Sequence, residues 1–261
     1  MGITTNELSD FIEGSVLRLV DEADTVTEYR RPLVGFASTG DPRFGELKRR
    51  VEPAHLLPED LLPGAKSVVA FFLPFARWVV EANAVQRGKV AEEWCRAYIE
   101  TNALINSITS YLKDALEEKG VRAASEPATH NYDPETLVCR WSHKSMAVIC
   151  GLGSFGLHHM VITDSGCAGR FGSLVIDAGL PVIPVRERER CLYFYDGSCV
   201  ECIERCPVKA LDREGRIDKH LCNRRLLAVE GGLQEELRAD VCGKCAIGPC
   251  SFESAVKGEQ G

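Results

Sequence analysis

Eight of the twelve cysteines of this 261-residue chain lie close together between residues 191 and 250. The positions are Cys191, Cys199, Cys202, Cys206, Cys222, Cys242, Cys245 and Cys250. Two Cys-x2-Cys pairs occur among them, each followed by a further cysteine within five residues. Thiolates at such spacings are typical ligands of zinc or of iron–sulfur clusters. Because no secretion signal precedes them, a metal centre is favoured over a disulfide framework.

The number and spacing of the eight cysteines favour two [4Fe–4S] clusters over zinc. Each iron of a cubane takes one thiolate, so two cubanes use all eight. A zinc ribbon would use only the Cys-x2-Cys pairs and leave half of the cysteines without a role. It would also leave unexplained why Cys206 stands directly before Pro207, as in the bacterial ferredoxin motif.

The ferredoxin pattern also suggests which cysteines share a cluster, because the cysteine before proline ligates the other cluster. Full ferredoxin spacing would place one more cysteine at position 196, where this chain has Asp196. Cys191 is the favoured replacement, since thiolate is a softer donor than carboxylate; Asp196 remains the alternative. The first cysteine group is therefore Cys191, Cys199, Cys202 and Cys250, and the second is Cys206, Cys222, Cys242 and Cys245.

The remaining four cysteines are scattered upstream. Cys95, Cys139 and Cys150 are interpreted as small buried residues without a chemical role. Cys167 lies in the glycine-rich stretch SGCAGR, so we expect it to be more exposed.

Hydrophobic periodicity predicts alternating helices and strands up to residue 180. Helices are expected after a capping box at Thr4 and Glu7 and over residues 89–119 and 142–150, and strands over 33–37, 67–73, 159–163 and 171–180. This alternation predicts an α/β (α+β) sandwich as an N-terminal domain, residues 1–183. A linker over 181–190 would lead into a small, bacterial-ferredoxin-like double-cluster domain, residues 184–261.

Composition limits the function classes. The chain is 45% hydrophobic and 26% charged, with a net charge of −7, which disfavours a protein that wraps nucleic acid. No apolar run approaches the roughly 18 residues of a membrane span, and no signal sequence begins the chain. We therefore expect a cytoplasmic protein that does not bind a membrane.

A glycine motif, Gly151, Gly153 and Gly156, fits G-x-G-x-x-G, and Asp177 follows at the distance expected of a dinucleotide fingerprint. The sequence after it is β-prone and broken by SGCAGR, which leaves no room for the required helix. Two other interpretations remain open with equal weight. The motif is either a tight structural turn or a turn that lets the backbone approach a planar cofactor.

Candidates for catalysis are few. Arg140, His143 and Lys144 lie at the start of a predicted helix, where they would bind an anion or form a solvated basic turn. His158 and His159 stand on a predicted strand, so only one of them would face a given ligand. His158 is the candidate for proton transfer or metal contact.

The stretches DGSCVECIERCPVKAL, CNRRLLAVE and CGKCAIGPC resemble the double-cubane region of epoxyqueuosine reductases, which share their architecture with reductive dehalogenases. Residues 147–177 resemble the stretch that runs along cobalamin in that family. The resemblance covers roughly residues 140–250. It implies electron flow from an external donor, such as ferredoxin or flavodoxin, through two clusters to a corrinoid that reduces the substrate. The implied cofactor-binding residues are Gly151, Gly153, Gly156, His158, Gly166 and Arg170.

The chain departs from the family pattern at several positions. Leu137 stands where the family has an acidic proton donor, and Leu157 where it has a lysine. The chain also ends soon after Cys250. Together with the acidic balance, this predicts a small-molecule or protein redox partner and makes tRNA unlikely. Two hypotheses follow: a corrinoid-dependent reductase, or an electron-transfer or activator protein without its own substrate.

Overall fold

A computed structural model describes residues 3–129, 131–182 and 188–257 of the chain. The helices are α1 (Thr5–Asp21), α2 (Arg43–Arg50), α3 (Pro58–Leu61), α4 (Arg77–Ala84), α5 (Glu92–Glu117), α6 (His143–Ile149), α7 (Leu192–Asp196), α8 (Glu201–Arg205) and α9 (Lys219–Glu230). Short 3-10 helices span Glu235–Leu237 and Lys244–Ala246. The strands are β1 (Leu33–Ser38), β2 (Ser67–Pro74), β3 (Ala123–Ala124), β4 (Tyr132–Asp133), β5 (Val138–Cys139), β6 (Gly153–Phe155), β7 (Val161–Thr163) and β8 (Gly169–Ile176).

The main sheet has four strands in the order β1-β2-β8-β3. All three pairings are antiparallel, and β2 lies opposite β8 with Phe71 beside Gly172. The mixed α/β character predicted from the sequence is confirmed. All eight residues of β2 are buried, which is why its sequence is a continuous apolar run rather than an alternating one.

The two faces of β2 are covered by different helices. Val69, Phe71 and Leu73 pack in one core with residues of α1 and α5, whereas Val68 and Ala70 pack in another with residues of α2 and α6. Successive side chains of a strand point to opposite faces, so one strand serves both cores. Each fully buried side chain of this kind stabilises the fold by roughly 1.5 to 3 kcal/mol.

The helix predicted over 89–119 is α5, which is buried along one stripe from Trp94 to Leu116. The capping box at the start of α1 is also present. The Thr4 side chain accepts from the backbone of Glu7, and the Glu7 carboxylate accepts from the backbone of Thr4. α5 packs on β8 and α6 packs on both β2 and β8, so both helices are fixed relative to the loop that precedes β8.

The strand predicted over 159–163 begins only at Val161. β6 and β7 form a two-stranded hairpin, with Gly153 opposite Thr163. His158 and His159 lie in the turn between the two strands, so the prediction that they stand on a strand was wrong. His159 has a φ of 59°, in the left-handed region, because the turn reverses the chain there.

The cysteine-rich part contains α7, α8 and α9 and packs against the helices upstream. One hydrophobic core includes Trp94 of α5 and Ile162 of β7 together with Cys202 and Ala246. The predicted domain boundary at 183–184, and the middle of the predicted linker, lie outside the described residues. Within the described part of the chain, no helix has the length and apolar character needed to cross a membrane.

Candidate metal and cofactor site

All four members of the first cysteine group line one small cavity. Cys191 caps the start of α7, and Gly197, with a φ of 76°, ends that helix so that the chain turns back to Cys199. α8 then carries Cys202. Cys250 completes the lining from the other end of the cysteine-rich part. The four thiols of the first group, together with Cys245, therefore line one cavity, and thiolates are the ligands that a [4Fe–4S] cluster requires.

Asp196 does not line this cavity. Its side chain is exposed and accepts a hydrogen bond of 2.9 Å from the backbone N–H of Ser198. Hydrogen bonds from the side chain and the backbone N–H of Ser198 hold the pKa of Asp196 below its ordinary value. Asp196 therefore acts as a turn-capping residue here, which is a common role for aspartate.

The second cysteine group converges around Cys245. Burial raises the pKa of the Cys245 thiol, and the neighbouring thiolates of Cys242, Cys222 and Cys206 raise it further. Cys222 is carried by α9, and Cys206 follows the end of α8, where the backbone N–H of Ala210 donates to its Sγ over 3.2 Å. The structure therefore brings these four thiols into one neighbourhood.

The two cysteine groups lie next to each other. Cys245 lines the cavity of the first group, and the charge of Cys202 also acts on it. Burial raises the pKa of Cys202 to about 12, and the charges of Cys250 and Cys191 add to this effect. Burial therefore disfavours the thiolate forms of Cys202 and Cys245.

Cys250 is contacted by two buried side chains from the α/β part. His158 Nε2 lies 3.3 Å from Cys250 Sγ, and Cys167 Sγ lies 3.7 Å from it. The ligand atoms of the three residues lie within 4.8 Å of one another. Cys167 is fully buried, so the expectation that it is more exposed was wrong. Its loop is covered by the segment that follows Cys250.

The glycines of the motif are explained by packing within the protein. Gly151, with a φ of 81°, follows the end of α6. A Cβ on Gly153 would lie 2.3 Å from the Ile162 carbonyl oxygen, across the hairpin. A Cβ on Gly166 would lie 2.2 Å from the carbonyl oxygen of Ser251. These contacts agree with the tight-turn interpretation and need no ligand to account for the glycines.

The dinucleotide interpretation of the same motif finds no support. The motif leads into the β6–β7 hairpin, whereas the fingerprint must open a helix. Asp177 forms an ion pair of 2.7 Å with Arg122 at the end of the main sheet. Its carboxylate is therefore engaged away from the glycine motif.

The three residues at the start of α6 do not form one anion site. Arg140 is exposed and donates to the backbone oxygen of Ala54 over 3.2 Å. His143 is buried, and its two ring nitrogens contact Ser173 Oγ at 2.7 Å and the oxygen of Pro127 at 3.0 Å. Burial lowers the pKa of His143, so it is a neutral core residue.

Lys144 points toward the cysteines instead. Its Nζ donates to the backbone oxygen of His159 over 3.0 Å. Burial lowers its pKa, while its charge interacts with Cys139 and Cys245 and also acts on Cys222. A half-buried lysine side chain therefore stands beside the second cysteine group.

Sequence reasoning missed an ionisable cluster between α5 and the segment before Cys242. Tyr98 donates to Asp240 Oδ1 over 2.6 Å, and the guanidinium carbon of Arg170 lies 4.3 Å from the centre of the Tyr98 ring. Within the described residues, Arg170 makes no hydrogen bond through its guanidinium. Arg170 is among the residues that the sequence singles out, but no local pattern marks Tyr98 or Asp240.

Sequence comparison supports the resemblance already noted. No protein-family model matches the chain. The epoxyqueuosine reductase of Bacillus cereus is 25% identical over 228 residues, covering 78% of this chain and 55% of that protein. The epoxyqueuosine reductase of Escherichia coli is 27% identical over 198 residues, covering 75% of this chain and 48% of that protein. The chain thus spans about half the length of the curated relatives it matches.

Solved structures with the same fold extend the comparison. An epoxyqueuosine reductase with an epoxyqueuosine-modified tRNA stem loop has a TM-score of 0.61 and 20% identity, covering 93% of this chain and 64% of that one. A reductive dehalogenase described in terms of B12-dependent dehalogenation has a TM-score of 0.55 and 15% identity. The match covers 82% of this chain and 28% of that one. The fold is therefore that of the epoxyqueuosine reductases and reductive dehalogenases, and the resemblance to them is confirmed.

The expectation that tRNA is an unlikely partner is corrected by these comparisons. The curated relatives are epoxyqueuosine reductases, and one similar structure contains a modified tRNA stem loop. The expectation relied on the short stretch after Cys250 and on net charge, and net charge averages over the whole surface and does not describe the field at one site. Lys144 and Arg170 show that this chain places cations locally despite its net charge of −7.

Proposed function

We propose that the chain is an iron–sulfur oxidoreductase that carries two [4Fe–4S] clusters and passes electrons to a corrinoid bound by its α/β part. In this proposal the α/β part is a helix–sheet sandwich and the cysteine-rich part is a ferredoxin-like double-cluster domain. The observation that carries the proposal is that all eight cysteines of the C-terminal part lie close to one another, as the predicted ligand groups require. The first group lines one cavity, and the second surrounds Cys245.

The donor set fits the clusters. Cys191, Cys199, Cys202 and Cys250 would hold the first, and the thiols around Cys245 would hold the second. Bound clusters would each supply a one-electron redox centre. Because Cys245 and Cys202 lie close together, the chain would keep the two centres within a short electron-transfer distance.

One observation fits a corrinoid in the α/β part. The mostly buried guanidinium of Arg170 has no hydrogen-bond acceptor among the described residues, so its N–H groups are available to a ligand. A corrinoid carries amide and phosphate acceptors, and when bound it would supply a strongly reducing metal centre. Arg170 would orient such a group, and the nearby Tyr98 hydroxyl, hydrogen-bonded to Asp240, would hold a proton beside it.

Epoxyqueuosine in tRNA is the first substrate to test, since the curated relatives carry that name. Reduction of an epoxide to an alkene consumes two electrons and two protons and releases water. Two one-electron clusters would store the two electrons. Leu137, in the place of the family's acid, favours the second candidate function, an electron-transfer or activator protein fed by a donor such as ferredoxin or flavodoxin.

A cobalamin titration of the anaerobically reconstituted protein separates the two functions. The corrinoid proposal predicts a change in the cobalamin absorption spectrum that saturates at one equivalent. Arg170→Met should weaken this binding while the iron content stays the same. The matched control is Arg122→Met, which removes an exposed guanidinium at the far end of the sheet. If the wild-type protein has its full iron content but does not change the cobalamin spectrum, the corrinoid proposal fails and the electron-carrier function is the one supported.

A further inference from the structure

Cys250 differs from the other cysteines of the two groups in the side chains that contact its sulfur. His158 Nε2 lies at 3.3 Å and Cys167 Sγ at 3.7 Å. Both residues are buried, with 4% and 0% of their surfaces exposed. In the described part of the chain, no side-chain hydrogen bond involves any of the other seven cysteine sulfurs; Cys206 accepts only a backbone N–H.

The direction of the His158 hydrogen bond follows from the other ring nitrogen. The backbone N–H of Met160 lies 3.1 Å from His158 Nδ1. A backbone amide can only donate, so Nδ1 is the acceptor and the neutral ring carries its proton on Nε2. His158 therefore donates an N–H···S hydrogen bond to Cys250.

The backbone holds this pair in place from both sides. A Cβ on Gly156 would lie 2.9 Å from His158 Cε1, so glycine at that position leaves the space that the imidazole occupies. The N–H of Cys167 donates to the carbonyl oxygen of Cys250 over 2.9 Å, and that of Ala168 donates to Ser251 over 3.2 Å. The glycine motif therefore has a role in the geometry of a cluster ligand.

We propose that His158 sets the reduction potential of the first cluster by donating its Nε2–H to Cys250, with Cys167 as a weaker second donor. This inference rests on the proposed function. The cysteine sulfurs carry more negative charge when the cluster is reduced, so a donor stabilises the reduced state more and raises the potential. The thiol of Cys167 contributes less because S–H is a weak donor, and its hydrogen is shared with the Ala246 oxygen at 3.6 Å.

The test is a redox titration of the full-length, anaerobically reconstituted protein, monitored by electron paramagnetic resonance with dithionite as reductant. In His158→Phe, the reduced-to-oxidised ratio of the first cluster at a fixed potential should fall about tenfold, equal to about 59 mV for a one-electron couple. The signal of the second cluster should not move. His158→Gln, which keeps an N–H donor, should recover part of the shift.

The matched control is His55→Phe, since His55 is also buried but donates only to the Leu56 carbonyl oxygen and lies against Trp141. It should leave both potentials unchanged. An unchanged first potential in His158→Phe overturns the inference and leaves the proposed function standing. A wild type without any cluster signal means that the proposed function itself has failed.

A measurement on the wild type covers the case in which His158→Phe does not assemble the first cluster. Protein labelled with ¹⁵N-histidine should show a nitrogen coupling to the reduced first cluster in pulsed electron paramagnetic resonance. Its absence, with the cluster signal present, overturns the inference without any substitution.

Discussion

Tyr98 on α5 and Asp240 in the cysteine-rich part are joined by a hydrogen bond of 2.6 Å from the Tyr98 hydroxyl to Asp240 Oδ1. The two residues are 142 positions apart in sequence. Burial raises the pKa of Tyr98, and Asp240 raises it further, so the hydroxyl keeps its proton at neutral pH. The hydrogen bond thus links the two parts of the chain and stores a proton beside Arg170.

Tyr98→Phe removes this hydrogen bond without changing the ring beneath Arg170. Hydrogen bonds to charged groups contribute about 1.5 to 3 kcal/mol, so the free energy of unfolding should fall by about that amount. Denaturant unfolding of the apoprotein measures it. The control is Tyr111→Phe on the exposed side of α5, which should cost less than about 0.5 kcal/mol. Equal losses in the two variants would mean that the Asp240 contact does not stabilise the fold.

Cys191→Ser should remove the first cluster, lowering the iron content from about eight to about four atoms per chain. Asp196→Ala should keep the full iron content, because Cys191 lines the cavity whereas Asp196 is exposed and caps a turn. Iron analysis after anaerobic reconstitution distinguishes the two. The opposite pattern would assign Asp196 as the ligand.

Lys144→Met should lower the reduction potential of the second cluster and leave the first unchanged. The reason is charge, since the Lys144 ammonium acts on Cys222 and Cys245 and favours the more negative, reduced state. The same redox titration measures both clusters. Lys66→Met, which removes an exposed lysine just before β2, is the control and should move neither. A shift of the first cluster alone would contradict the placement of Lys144.

Asp177→Asn should destabilise the fold at neutral pH but not at low pH. Burial raises the pKa of Asp177, but the hydrogen bonds and charge of Arg122 outweigh it and hold the pKa below 3.8. The ion pair therefore contributes above the unfolded pKa, and its contribution is lost as the pH falls through the folded pKa. Since Arg122 is largely exposed, the difference at pH 7 should stay below about 1 kcal/mol. Denaturant unfolding of wild type and variant at pH 7 and near pH 3 measures the difference in their free energies of unfolding. A difference that does not change with pH would contradict a stabilising ion pair.

The sequence predicted well those features that depend on short spacings. Short apolar runs predict the strands β1 and β2, and apolar residues at helical spacing predict α5. The grouping of the cysteines follows from ligand number and from Pro207 after Cys206, and the convergence of four thiols on one cavity is compatible with that grouping. That grouping stays a prediction until iron is measured.

Long-range contacts account for what the sequence did not predict. Cys167 is buried because the segment after Cys250, 83 positions away, covers its loop. His158 looked like a strand residue because its neighbours are β-prone, but the hairpin between β6 and β7 requires a turn there. Asp240 is part of the site only because it accepts a hydrogen bond from Tyr98, which is distant in sequence. No local sequence pattern predicts any of these three features.

The central claim is that the two cysteine groups hold two [4Fe–4S] clusters, and metal analysis combined with optical spectroscopy tests it most directly. Anaerobically reconstituted protein should contain about eight irons and eight sulfides per chain. It should be brown, with a broad visible absorption that bleaches when dithionite is added. A colourless protein that binds stoichiometric zinc and no sulfide would contradict the account.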